Sequence, residues 1–141
     1  MAPAVDINNW AVLASAVAAN VIGGLWYSPV LFGKAWMKLS GLDGKKLEEL
    51  KKKSSPGKVY ALMFVGSLVM AYVLSHFIDY TQATTVFEGA QAGFWVWLGF
   101  VATVQLGSML WEGKPAKLYF LNISYQLVSL LTMGIILAIW V

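Results

Sequence analysis

The chain has 141 residues, of which 59% are hydrophobic and 12% charged, and its mean hydropathy is +0.67. A soluble domain needs about a quarter of its residues charged to cover its surface; this composition excludes a secreted or cytosolic globular enzyme, a disordered tail and a coiled coil, and leaves an integral membrane protein. Cysteine is absent, which excludes disulfides, thiolate metal sites, thiol nucleophiles and palmitoyl anchors, and all ten basic residues are Lys, so the formal charge of +3 points to a membrane surface and not to nucleic acid.

A spanning helix needs about 20 mainly apolar residues. The first such stretch, residues 8–27, carries no formal charge and has Asp6 and Asn8 available as caps. Cleavable signal peptides begin with a positive segment, whereas residues 1–9 carry only Asp6, so this helix is expected to be retained. A connection over residues 28–58 follows. It places Phe32, Trp36 and Leu39 on one helical face and Lys34 with Lys38 on the other, the pattern of an amphipathic interfacial helix. Farther on, Glu48 with Lys52 and Glu49 with Lys53 stand at i,i+4 and favour a short solvated helix over Lys45 to Lys53.

The breakers Ser54, Ser55, Pro56 and Gly57 precede a second span, residues 59–78, which Asp79 ends. A third covers residues 88–111. After the turn Glu112, Gly113, Lys114, Pro115, a fourth covers residues 117–141. The expected fold is therefore an all-α, four-helix transmembrane protein forming a single domain over residues 1–141, with an amphipathic cytoplasmic segment between the first two spans.

Lysine placement orients it. Lys34, Lys38, Lys45, Lys46, Lys51, Lys52, Lys53 and Lys58 lie between the first two spans, and Lys114 and Lys117 beside the last turn. Those connections fall on one side, which the positive-inside rule makes the cytoplasm, with both termini outside. In a prokaryote this would be the cytoplasmic membrane. An all-or-none split also argues against pairing with an inverted copy, so a homo-oligomer is expected to be parallel.

Apolar helices gain little hydrophobic energy from meeting in lipid, and small residues must let them pack closely. Ala11, Ser15, Ala19 and Gly23 form one such row, with Ala16, Asn20 and Gly24 beside it. Ser67, Ala71 and Ser75 serve the second span. The third has Gly89, Gly93, Gly99, Thr103 and Gly107, and is expected to have small residues left for another subunit.

Polar residues sort by depth. Asn20, Gln105 and Asn122 lie roughly 10 Å from the cytoplasmic ends and Gln126 roughly 15 Å, at 1.5 Å per residue. Asn122, Tyr125 and Gln126 share a helix face. A carboxamide facing hydrocarbon leaves unpaired groups, so these are expected to find one another. They read either as interhelical glue or as the lining of a polar cavity for a small ligand or solute. At the outer end, His76, Asp79 and Glu88 form a second polar cluster, readable as helix caps and solvated charges or as a cation or proton site. No metal site is assigned to them.

Asn20 precedes Trp26, and Gln105 precedes Trp111, by the same interval, a hint of two parallel repeats. Trp10, Trp26, Trp111 and Trp140 sit at span ends as an aromatic belt would, whereas Trp95 and Trp97 do not. No phosphate loop, zinc helix, nucleophile elbow or paired-carboxylate motif occurs, so no catalytic residue and no cofactor is expected.

The runs Asn9-Trp10-Ala11-Val12-Leu13, Gly23-Gly24-Leu25-Trp26-Tyr27-Ser28-Pro29 and Leu31-Phe32-Gly33-Lys34-Ala35-Trp36 resemble the small membrane proteins catalogued as domain of unknown function 1761. So do Leu68-Val69-Met70-Ala71-Tyr72, Trp97-Leu98-Gly99-Phe100, and Asn122 with Tyr125, Leu127 and Val128. The resemblance implies a four-helix membrane protein and brings no activity with it. It directs attention to Trp26 through Trp36, as a fold signature or a corner that binds lipid headgroups.

The functional expectation is a non-catalytic membrane module that binds lipid, a small ligand or a membrane-protein partner. A small-solute or ion transporter or channel, assembled by homo-oligomerisation, is the alternative. Candidate residues are Asn20, Gln105, Asn122, Tyr125 and Gln126 inside, and Trp26, Tyr27, Lys34, Trp36, Lys51, Lys52 and Lys53 at the anionic-lipid interface.

Overall fold

A computed structural model describes residues 7–40, 48, 49, 52 and 56–140. It is helical, with no strand among the described residues. The elements are α1 (Asn9–Trp26), α2 (Gly33–Ser40), α3 (Pro56–Tyr80), α4 (Val86–Trp97), a π-helical turn (Leu98–Ala102), α5 (Leu106–Leu110) and α6 (Ala116–Ile139). Four stretches are long and apolar enough to cross a membrane: Asn9–Trp26, Gly57–Tyr80, Val86–Leu110 and Ala116–Ile139. These bounds agree within a few residues with those the hydropathy pattern expects. Residues 48, 49 and 52 are helical, but most of the expected Lys45–Lys53 helix, including Lys51 and Lys53, lies outside the described residues, as does Asp6.

The helices run alternately up and down around α6, which packs most extensively on α4, then α1, then α3. Asn8 ties the two ends of the chain together. Its Oδ1 accepts from the amides of Trp10 (3.0 Å) and Ala11 (3.3 Å), satisfying donors that the first turn of α1 leaves free, while its Nδ2 donates to the Trp140 carbonyl at 3.3 Å.

Small residues face inward. Ala11, Ser15, Ala16 and Ala19 are buried on α1, whereas Leu13, Val17, Val21 and Leu25 are exposed. Lipid solvates a large apolar side chain as well as the protein interior does, so close backbone approach decides which face turns in. Ser15 on α1 and Ser129 on α6 follow this rule: both are buried, their hydroxyls lack a hydrogen-bond partner among the described residues, and they act here through their size.

The closest approach is between α4 and α6. A methyl group on Gly89 would collide with the Gly134 carbonyl, and one on Gly93 with the Leu130 carbonyl. These glycines, expected to be available to another subunit, are used within the chain. Gly99 has open space around its Cα and stays available.

The third span, Val86–Leu110, is long enough to cross as expected but is not regular throughout. It passes through the π-helical turn and a further turn at Thr103–Gln105 before α5 resumes. Hydroxyl donors occupy the loosened carbonyls: Thr103 donates to Gly99 at 2.6 Å, Ser108 to Gln105 at 2.8 Å, and Tyr119 of α6 to Ala102 at 2.6 Å. In hydrocarbon such internal partners are what makes a break tolerable.

Candidate functional site at the lysine-bearing corner

At the end of α1 the chain turns sharply. The Ser28 hydroxyl donates to the Leu25 carbonyl at 2.7 Å, and Pro29, which cannot continue the helix, follows. The amides of Leu31 (3.1 Å) and Gly33 (2.8 Å) then donate to the Ser28 carbonyl, and that of Phe32 to the Trp26 carbonyl at 2.9 Å. Gly33 is buried so tightly on this turn that a methyl there would stand 2.7 Å from the Ser28 carbonyl carbon and collide with the Tyr27 carbonyl oxygen. Glycine is thus required where α2 starts.

Aromatic donors clamp the corner to α6. Trp26 Nε1 donates to the Leu121 carbonyl at 3.2 Å, and its ring packs 4.7 Å from that of Phe32. Tyr27 donates through its hydroxyl to Asn122 Oδ1 at 2.7 Å. Its ring meets the edges of Tyr125 at 5.4 Å and Trp36 at 5.8 Å, so Trp36 docks α2 on the bundle. One helical turn deeper, the Tyr125 hydroxyl donates to the Ala19 carbonyl at 3.2 Å. Tyr27 stands just beyond the apolar span; burial, and then the neighbouring Tyr125, push its phenol up to about 12. It therefore remains a hydrogen-bond donor throughout the physiological range.

What the corner presents outward is mixed. Val30, 89% exposed, and the exposed Leu31 form an apolar tip, with Lys34 and Lys38 exposed just beyond it on α2. The lysines Lys34, Lys38, Lys58, Lys114 and Lys117 all belong to this end of the bundle, since α3 and α6 start where α1 stops.

The carboxamides do not pair with one another, contrary to expectation. Asn20 donates to the Ala16 carbonyl of its own helix at 2.7 Å, Asn122 serves Tyr27, and Gln105 and Gln126 are half-buried without a side-chain hydrogen bond to a described residue. Partners nearer in sequence or reaching over a helix end satisfied the first two. The outer cluster is likewise divided. His76 Nδ1 lies 2.9 Å from the Tyr72 carbonyl, with its ring between Tyr72 and Tyr80. Glu88 is held at the start of α4, its amide donating to Thr85 Oγ1 at 3.1 Å and its carboxylate accepting from that hydroxyl at 2.9 Å. Asp79 borders a cavity that His76 and Glu88 do not line. Among the described residues no three His, Asp or Glu side chains come close enough to hold a metal ion.

Sequence reasoning missed two aromatic donors. Trp97 Nε1 donates to the Ile123 carbonyl at 2.7 Å, and Tyr119 closes the π-helical turn. The one available signal was that Trp97 sits away from a span end. The repeat suggested by Asn20–Trp26 and Gln105–Trp111 does not produce equivalent environments: Trp26 is bonded to α6, whereas Trp111 is 91% exposed.

Residues 10–138 match the family described as "Protein of unknown function (DUF1761)". Neither a curated protein nor a solved structure matches the chain.

Proposed function

Because the chain belongs to the DUF1761 family, whose function is unknown, its role has to be read from its own residues: we propose a non-catalytic, multi-pass membrane module whose lysine-bearing end faces the cytoplasm and binds anionic lipid. The observation that carries this is the fixed corner. Val30 and Leu31 are exposed beside Lys34 and Lys38, on a turn held by Gly33, by the Trp26 and Tyr27 hydrogen bonds, and by Trp36. In a bilayer the apolar tip inserts among acyl chains, and lysine stems extend along it to place their ammonium groups at lipid phosphates. Helix α2 is then an interfacial helix, with Lys34 and Lys38 four residues apart on one face. Each such lysine contributes about 1 kcal/mol toward an anionic surface. A corner already ordered in the protein loses little conformational entropy on binding. In this reading Lys51, Lys52 and Lys53 enlarge the same basic field, both termini lie outside, and any homo-oligomer is parallel.

Native mass spectrometry of the full chain, supplied with equal phosphatidylglycerol and phosphatidylcholine, tests the proposal. Wild type retains phosphatidylglycerol and the Lys34→Glu/Lys38→Glu variant loses it. Equal retention by the two proteins would overturn it.

A transporter remains a second reading because the third span is interrupted. Broken spanning helices expose backbone groups to solutes in many transporters, and Gln105 closes the turn after the π-helical segment. It requires solute flux in reconstituted vesicles that falls when Gln105 becomes Leu; flux unchanged by that substitution would remove Gln105 from the pathway.

A further inference from the structure

At the end of the bundle opposite the lysines, a cavity of about 200 Å³ lies between the start of α1 and the ends of α3 and α6, bordered by Asn8, Ser75, Asp79, Gln82, Thr84 and Trp140. Its electrostatics are one-sided. Two helices end there, and helix C-termini carry residual negative charge. The N-termini of α1 and α4 also lie at this end, but Asn8 Oδ1 covers the first free amides of α1 and Thr85 Oγ1 accepts from the Glu88 amide of α4. Three lining residues direct a side-chain N–H or O–H to a backbone carbonyl: Asn8 Nδ2 to that of Trp140 at 3.3 Å, Gln82 Nε2 to that of Asp79 at 3.3 Å, and the Ser75 hydroxyl to that of Tyr72 at 2.6 Å. Among the described lining residues Asp79 alone carries a charge. None of the lysines that flank the helices stands at this end.

The lining also rules on the kind of cation. A metal ion needs several anionic or imidazole ligands, and no such trio forms among the described residues. The cavity has room for about six or seven waters at ~30 Å³ each, far more than a bare ion fills. Apolar walls from Ala11, Ile78 and Leu137, with Trp140 also in the lining, suit an organic cation, since an aromatic face attracts ammonium groups.

We infer that this cavity binds a small organic ammonium group, with Asp79 as counter-charge and Trp140 as its aromatic wall. The group could be carried by a free amine or by the headgroup of a zwitterionic lipid, and the chemistry is the same. The site is separate from the lipid-binding corner and does not depend on it.

Calorimetric titration of the full chain, in a detergent without an ammonium headgroup, with choline and with its neutral isostere 3,3-dimethyl-1-butanol tests the inference. A parallel native mass measurement with phosphatidylcholine covers the lipid source. Choline, phosphatidylcholine or both bind wild type, and the neutral isostere does not. Asp79→Asn weakens that binding by roughly 10- to 100-fold, as removal of the opposite charge beside a quaternary ammonium does in a partly solvated site. Thr84→Lys, at an exposed lining position, abolishes it by placing the chain's own ammonium in the cavity. Retention of phosphatidylcholine alone, sensitive to both substitutions, identifies the lipid headgroup as the source. The inference is overturned if neither compound binds, if the folded Asp79→Asn protein binds as wild type does, or if the neutral isostere binds equally.

Discussion

Replacing Gly93 by Ala adds one methyl group where α4 and α6 pack backbone against backbone. That methyl would stand 2.8 Å from the Leu130 carbonyl carbon, where ordinary contact begins near 3.4 Å, so the helices must separate by at least 0.6 Å. The obstacle is backbone, and no change of rotamer relieves it. Overpacking of this kind costs about 1–3 kcal/mol. An Ala also gains about 1 kcal/mol of helix propensity over Gly, and the reference substitution must cancel that gain. Gly66→Ala does so, because Gly66 lies inside α3 with nothing within 4 Å of an added Cβ. Equilibrium unfolding in mixed micelles with increasing dodecyl sulfate, followed by circular dichroism, should show Gly93→Ala less stable than Gly66→Ala by about 1–3 kcal/mol. Equal stability of the two variants would refute the assignment of Gly93 to a backbone-to-backbone contact.

Three further outcomes follow from the same geometry. Tyr27→Phe removes the 2.7 Å bond to Asn122 and should lower stability by about 0.6 kcal/mol, and by no more than about 1.7, the range for interhelical hydrogen bonds in membranes; an unchanged unfolding midpoint would count against the clamp. Gly33→Ala should leave the bundle folded but free α2 from Tyr27, so the distance distribution between spin labels at Lys38→Cys and Lys117→Cys should broaden, and an unaltered distribution would contradict the tight seat. Thr85→Ala removes the cap of α4 and should cost about 0.5–2 kcal/mol in the same unfolding assay, with no loss showing that Glu88 is ordered without it.

The four spans were legible because lipid demands long uninterrupted apolar runs, and their ends were legible where a cap such as Asn8 or a breaker such as Pro115 stands in the sequence. The row Ala11, Ser15, Ala19 reads directly as a packing face, since small size is a property of the residue itself. The break in the third span does not read that way. Nothing between Trp97 and Leu110 is a proline, and the partner that closes the turn, Tyr119, comes from another helix. Depth along a helix follows from counting, which is why Asn20, Gln105 and Asn122 share a level. Whether they meet depends on helix rotation and on competing acceptors, and the Ala16 carbonyl was always nearer to Asn20 than another carboxamide. The segment Trp26 to Trp36 was recognisable as a corner from Pro29 and Gly33, but its attachment through the Leu121 carbonyl and Asn122 required the fold.

The central claim is that the corner prefers anionic lipid because Lys34 and Lys38 stand beside an apolar tip. Spin-labelled lipids in bilayers containing the full chain measure that preference directly, as the ratio of motionally restricted phosphatidylglycerol to phosphatidylcholine at the protein surface. Wild type should show a clear excess of phosphatidylglycerol, which falls toward parity in Lys34→Gln/Lys38→Gln, a loss of about 2 kcal/mol at the site. An unchanged ratio in the double variant would contradict it.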